Sequence, residues 1–483
     1  MNTDEHASEG SPLVRAALYG GIPAACFLYL LSISWLKWGD LLVDTFREMQ
    51  VCQLILNGRV LYADFNYEYG FLMPYAMSAL CRITGLTIGT FIGLGIGITA
   101  LTAFLVYRIA RVFMDRILSA AAVITFLFVF AFGCYRYHGI FNYILPYSFA
   151  ATGFVLFQLA ALYGFTRFVL GRRSGHLVLW VAGLTLGFWT RPDLGALASA
   201  VYVAVALLHL AASWKSERRG QAVRLALGSL LPPVLGLAGY LMLSLQPGVA
   251  EGLRRSILQL VLASRTEEFT RLLFGLTEWK ENIGGILGSL CFNVGSVALL
   301  AAGCVGVAGS VARKDFSARI FLGVASIVLV FLVSARYLNA REVQYRGLPV
   351  LLIAGIVVSL ARIMARREVA ANTARLALFA VATALLMRIL LSVSPAAYGF
   401  CLAVPALIGY YFVLVQIPSD ILAARGQVLA RGLFQAVAAC FFLFHLSWYW
   451  RASLLMYSQM NLRVTADAGT LVCRDDATTR RCL

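Results

Sequence analysis

Three features of the sequence predict an all-α, polytopic integral membrane protein. Of the 483 residues 60% are hydrophobic and only 13% charged, and the mean hydropathy is +0.81. A soluble domain runs near 45–50% apolar and about 25% charged. Apolar runs of about 20 residues recur along the chain, the length a helix needs to cross a bilayer. Short Arg-rich breaks separate them. Alternating segments of about ten residues, which would build a membrane barrel, are not visible.

A window of about 20 residues places about thirteen transmembrane helices. They fall at 17–36, 88–107, 117–133, 146–166, 177–190, 195–213, 222–243, 284–308, 320–335, 347–364, 374–391, 398–417 and 429–450. The first run lacks a basic flank and an A-x-A site, so it is expected to remain as an anchor. With the N-terminus cytoplasmic, the inner loops hold half of the 40 Lys and Arg but only about a third of the 23 acids. That bias sets the N-terminus inside and the C-terminus outside. Residues 1–450 then form one transmembrane domain with outer loops at 37–87 and 246–283, and 451–483 form a short outer tail. No internal repeat stands out, which disfavours an inverted-repeat transporter.

The formal net charge of +17 would suggest nucleic acid in a soluble chain. Here the basic residues are scattered between spans and hold topology, so no nucleic-acid partner is expected. The ten cysteines show no metal-ligand spacing. Most lie within apolar spans as small packing residues. Cys473 and Cys482 in the tail could pair in an oxidising compartment. High Arg and Ala usage and the absence of eukaryotic retention signals point to a bacterial inner membrane.

The first outer loop is the chemical anomaly. Asp40, Asp44, Glu48, Asp64 and Glu68 gather in a chain that is otherwise mostly apolar. Carboxylates held against a membrane are costly and are a functional hypothesis by default. Asp40, Asp44 and Glu48 recur every four residues, so on a helix they share one face within about 80°. Leu42, Phe46 and Met49 lie on another side, as in an interfacial amphipathic helix. Taken alone, the acids could be only its wet face. Asn57-Gly58 ends that helix. Four tyrosines then flank Asp64 and Glu68, a mixture suited to a hydroxyl-rich ligand such as a sugar.

Three patterns carry a family resemblance. They are Asp44-Thr45-Phe46-Arg47-Glu48, then Asn57-Gly58-Arg59-Val60-Leu61-Tyr62-x-Asp64, then Tyr67-x-Tyr69-Gly70 with Pro74-Tyr75. Together they resemble the first periplasmic loop of GT-C superfold glycosyltransferases, in particular bacterial members similar to protein O-mannosyltransferases and the lipid A aminoarabinose transferase. Phe141-Asn142-Tyr143-Ile144-x-Pro146-Tyr147-Ser148 and Arg341-x-x-x-Tyr345-Arg346 with Pro349 resemble later outer segments of those enzymes. The chain departs from the pattern where Asp-Glu becomes Asp44-Thr45 and Gly-Pro becomes Gly70-Phe71. One carboxylate then stands at the central position, which weakens a metal-binding acidic pair.

The resemblance implies transfer of a sugar from a polyprenyl-phosphate donor to a cell-envelope acceptor at the periplasmic face. Asp44 is the implied base. A carboxylate within hydrogen-bond reach serves that role, the more so if burial raises its pKa. Glu48, Asp64, Tyr67, Glu68, Tyr69, His138 and Asn142 are the implied sugar and acceptor contacts. Arg136, Arg191, Arg336, Arg341, Tyr345 and Arg346 would hold the lipid phosphate, because guanidinium matches phosphate oxygens. Each of these arginines would also snorkel at a span end without any such role, and Arg191 with Asp193 could simply close a turn. Segment 250–283 carries apolar residues at helical spacing (Ile257, Leu260, Val261, Phe269, Leu272, Leu273) and reads as a lid or as a loop resting on the membrane. No metal site is assigned, and a divalent cation is left open as the one cofactor. A transporter or lipid flippase is the competing class, but it would carry charges in mid-span. An O-antigen polymerase or ligase would not need the acidic first loop.

Overall fold

The computed structural model describes residues 20–39, 44–136, 139–171, 173–213, 219–256, 268–313, 318–337, 343–475 and 480. A helix occupies every one of the thirteen ranges that hydropathy marks out. Ten of these helices are long and apolar enough to cross a membrane. Ile22–Ile33, Arg116–Ala131 and Ser174–Thr190 are shorter.

Helix ends follow from local chemistry. Thr87 caps the Ile88–Phe113 helix, its side chain accepting from Thr90 N, and Asp115 does the same for Arg116–Thr125 with Leu118 N at 2.9 Å. Such caps satisfy donors that a helix start leaves open. Pro192, whose missing N–H suits a first helical position, opens Pro192–Ser213. Burial is uneven. In its most apolar stretch Phe149–Gly171 is 72% buried and Phe400–Ala424 is 83% buried, whereas Ala318–Arg336 is 17% buried. The first two are interior helices, and the third offers most of its apolar surface to lipid.

The 37–87 loop contains two helices, Thr45–Leu56 and Leu72–Thr84. Gly58, at φ +81°, turns the chain out of the first one, as Asn57-Gly58 predicts. Gly39 N donates to the Gly139 carbonyl at 2.9 Å and brings the loop around Gly139 alongside. Part of the 246–283 loop also packs here. Helical residues 249–256 lie on the first loop, and a β-carbon at Gly252 would stand 1.6 Å from the Tyr62 carbonyl oxygen. Only glycine permits that approach. Glu268–Leu273 forms a further short helix, while Ile257, Leu260 and Val261 lie outside the described residues.

The last helix runs from Val428 to Ser458, and the polar tail beyond it is structured. Met460–Ala466 and Gly469–Arg474 pair as an antiparallel hairpin. Val472 N donates to the Leu36 carbonyl, and Ile88 N to the Ala468 carbonyl, so the hairpin clamps both ends of the 37–87 loop. Cys473 lies half-buried in this hairpin, and Cys482 lies outside the described residues.

Candidate active site in the first outer loop

Asp44 stands at the N-cap of Thr45–Leu56 with φ +58° and ψ −48°. A residue with a β-carbon held there costs of order 1–3 kcal/mol, a strain typical of functional positions. An ordinary capping aspartate would spend its carboxylate on helix N–H groups, but Asp44 caps none. Instead its Oδ2 accepts from Tyr398 Oη at 2.9 Å, and its Oδ1 lies 3.1 Å from Arg47 Nη1. Only 11% of the Asp44 side chain is exposed.

Arg47 joins two carboxylates. Its Nη2 lies 3.5 Å from Glu48 Oε1 and donates to the Tyr147 carbonyl at 3.0 Å. Its Nε–H is buried with no partner among the described residues. Glu48 is 1% exposed and accepts from Tyr67 Oη at 3.2 and 3.3 Å. Burial pushes the Glu48 carboxyl up to about 7, against the opposing pull of Arg47 and Tyr67. Desolvation wins because the charged form loses its water on a fully covered face.

Tyr69 forms the floor. Arg191 lies 5.0 Å from its ring centroid and Arg47 lies 6.0 Å away. Arg191 is 2% exposed and grips Asp193 through Nη2 at 2.7 Å and Nε at 3.3 Å. Gly70 explains its own place in the motif. Its N donates to the Thr190 carbonyl at 2.9 Å, and a β-carbon there would stand 2.0 Å from the Trp189 carbonyl oxygen. The glycine therefore lets Tyr69 lie on the end of the Ser174–Thr190 helix. Tyr147, Phe141 and Tyr398 form an aromatic wall, with Tyr398 centroids 4.9 Å from Tyr147 and 5.0 Å from Phe141.

Of the residues predicted from sequence, Asp44, Glu48, Tyr67, Tyr69 and Arg191 come together. Asn142 supports them from the second loop. Its Oδ1 accepts from Ile144 N and Leu145 N, and its amide donates to the Gly139 carbonyl, which shapes the turn that offers the Tyr147 carbonyl to Arg47. The others lie apart. Asp64 is exposed and closes a turn by accepting from Val60 N at 2.7 Å. Glu68 is exposed. Arg136 and Arg336 are exposed on the surface. Tyr345 is buried among Phe130, Phe400, Tyr410 and Tyr449. Arg346 lies against Gly285 of the Trp279–Arg313 helix. Asp40, His138 and Arg341 lie outside the described residues.

Sequence reasoning assigned no role to Tyr147, Tyr398, Arg388 or Arg47. Arg388 ends the Val369–Ile389 span, and its charge reaches the Tyr69 and Tyr147 phenols. The guanidinium is half-buried with no hydrogen-bond or ion-pair partner among the described residues. No motif surrounds it. Arg47 was the one readable omission, since it stands between Asp44 and Glu48 at helical i,i+3 spacing.

No protein-family model matches the chain, and no curated protein matches its sequence. Solved structures do match. The Archaeoglobus fulgidus oligosaccharyltransferase AglB, in complex with an inhibitory peptide and a dolichol-phosphate, covers 96% of this chain and 57% of its own, with a TM-score of 0.51 at 12% identity. The Archaeoglobus fulgidus oligosaccharyltransferase complex with Zn and sulfate covers 94% and 54%, with a TM-score of 0.51 at 13% identity. ArnT from Cupriavidus metallidurans, bound to undecaprenyl phosphate, covers 86% and 81%, with a TM-score of 0.38 at 15% identity. The chain spans a little over half the length of the oligosaccharyltransferases it matches. It shares the polytopic helical fold of those oligosaccharyltransferases, the kind of fold that the first-loop motifs imply.

Proposed function

We propose that this chain is a membrane glycosyltransferase that moves a sugar from a polyprenyl-phosphate donor to a hydroxyl of a cell-envelope acceptor. The observation that carries the reading is Asp44, a carboxylate on a strained helix start, held by a tyrosine and an arginine instead of capping its own helix. In a chain with this fold, such a carboxylate suits a general base. The acceptor oxygen attacks the anomeric carbon, its proton passes to Asp44, and the bond to the phosphate breaks with both electrons leaving on the phosphate. Attack opposite the leaving group inverts the anomeric centre, by the logic of a carboxylate that activates water in an inverting hydrolase.

Tyr398 and Arg47 orient the Asp44 carboxylate, and Glu48 with Tyr67 holds Arg47. Arg388 is our candidate for the departing phosphate, because it is a half-buried cation beside this cluster with its donors unspent. Arg336, Arg341 and Arg346 are further candidates for the lipid headgroup, at the outer ends of later spans. Dolichol-phosphate in the archaeal oligosaccharyltransferase supports a lipid-phosphate donor. High Arg and Ala usage supports a bacterial inner membrane, and the charge bias of the loops supports a site on the periplasmic side. Mass spectrometry of cell-envelope glycans from cells with and without the gene tests the reading. Loss of one defined sugar addition is expected, and an unchanged glycan profile would contradict it.

A further inference from the structure

The GT-C likeness raises the question of a divalent cation, since one matching oligosaccharyltransferase was solved with Zn. The described residues of this chain do not fit one at the acidic cluster. A hard divalent ion binds carboxylate oxygens at about 2.0–2.6 Å, and its seat would lie between Asp44 and Glu48. That space holds a guanidinium. Arg47 Nη1 stands 3.1 Å from Asp44 Oδ1, and Nη2 stands 3.5 Å from Glu48 Oε1. Among the described residues no group of three His, Cys, Asp or Glu side chains is placed to hold a metal.

Arg47 cannot step aside cheaply. Nη2 also donates to the Tyr147 carbonyl, and the buried Glu48 is stabilised in its charged form by Arg47 and the Tyr67 hydroxyl, against its burial and the nearby Asp44 charge. Removing the cation would strand a buried carboxylate, which is strongly unfavourable. A dication beside the retained guanidinium would face like-charge repulsion at a few ångströms. The Nε–H, buried and without a partner among the described residues, is a donor for one more oxygen that a phosphate or sugar would bring.

We infer that Arg47 is the resident cation of this site, occupying the place of a divalent metal, so that sugar transfer proceeds without one. The inference rests on the glycosyltransferase reading for its role in turnover, but its seat is testable without turnover. Arg47 positions Asp44 and Glu48, and its Nε–H, without a partner among the described residues, leaves it one direct contact to offer a bound phosphate or sugar.

The direct test is electron paramagnetic resonance of Mn2+ titrated into the purified full-length protein to millimolar concentration. Wild type and R47K are expected to bind no Mn2+ that D44N abolishes. R47A, which empties the seat between two carboxylates, is expected to bind one Mn2+, lost again in R47A/E48Q. Mn2+ bound by wild type and released by D44N would overturn the inference, as would a folded R47A that binds none. Should R47A fail to fold, wild type against D44N decides the question alone. A transfer assay gives the second arm. Turnover unchanged by EDTA supports the inference, and turnover lost with EDTA and restored by a divalent ion overturns it. Absence of transfer under every condition would count against the proposed function while leaving the Mn2+ result to judge Arg47.

Discussion

The two halves of the 37–87 loop carry similar sequence signals and very different structures. Residues 44–48 hold two carboxylates and an arginine, and residues 60–70 hold two carboxylates among tyrosines. In the first half both acids are covered and partnered, at 11% and 1% side-chain exposure. In the second half Asp64 and Glu68 point to solvent, and Asp64 is spent on a turn. The tyrosines of the second half turn inward instead, so Tyr67 meets Glu48 and Tyr69 meets two arginines. Carboxylate density therefore does not locate the chemistry. What singles out the candidate site is a carboxylate held off its ordinary backbone role by side chains that include one from a distant span.

That contrast can be broken by substitution. D44N is expected to lower sugar transfer about 10²–10⁴-fold, the usual worth of a positioned base, with the purified protein still folded and still binding donor. G70A is expected next, as a loss of folded protein in a thermal-shift assay, because its new methyl would press into the Trp189 carbonyl and backbone there has no room to retreat. R388A is expected to raise the donor KM roughly tenfold or more, the worth of a charge-assisted hydrogen bond, with a smaller change in kcat.

E48Q sharpens the same half of the loop through pH. Burial holds the Glu48 carboxyl near 7 in the folded protein, above its ordinary value of 4.5. The folded state therefore keeps the proton longer than the unfolded chain does, and stability from this group falls as pH rises from about 4.5 through 7. Wild type is expected to lose thermal stability over that window relative to E48Q, in melting curves taken across pH. A flat difference would remove Glu48 from the buried pair. D64N and E68Q should leave transfer within about twofold, as exposed substitutions away from special features usually do.

Much of the fold was legible because hydropathy reports directly on membrane burial. All thirteen ranges hold helices, and Asn57-Gly58 marked a real helix end. The hairpin at 460–474 was not legible, since its strands are short, polar on one side and fastened by backbone bonds to Leu36 and Ile88. Asp44 was legible as a carboxylate in a motif, but its positive φ was not, because nothing local demands it. Tyr398 lies 354 residues from Asp44, and that pairing exists only once the spans are packed. Arg388 looked like any arginine at a span end until its surroundings showed neighbours without an ion pair.

Asp44 as the base, rather than the acidity of the loop as a whole, is tested by measuring transfer from a polyprenyl-phosphate sugar by wild type, D44N and D64N side by side, with donor binding measured on the same preparations. D44N is expected to bind donor normally yet transfer at least about a hundredfold more slowly, while D64N stays near wild type. Comparable turnover by D44N and wild type, or equal losses in D44N and D64N, would contradict that role.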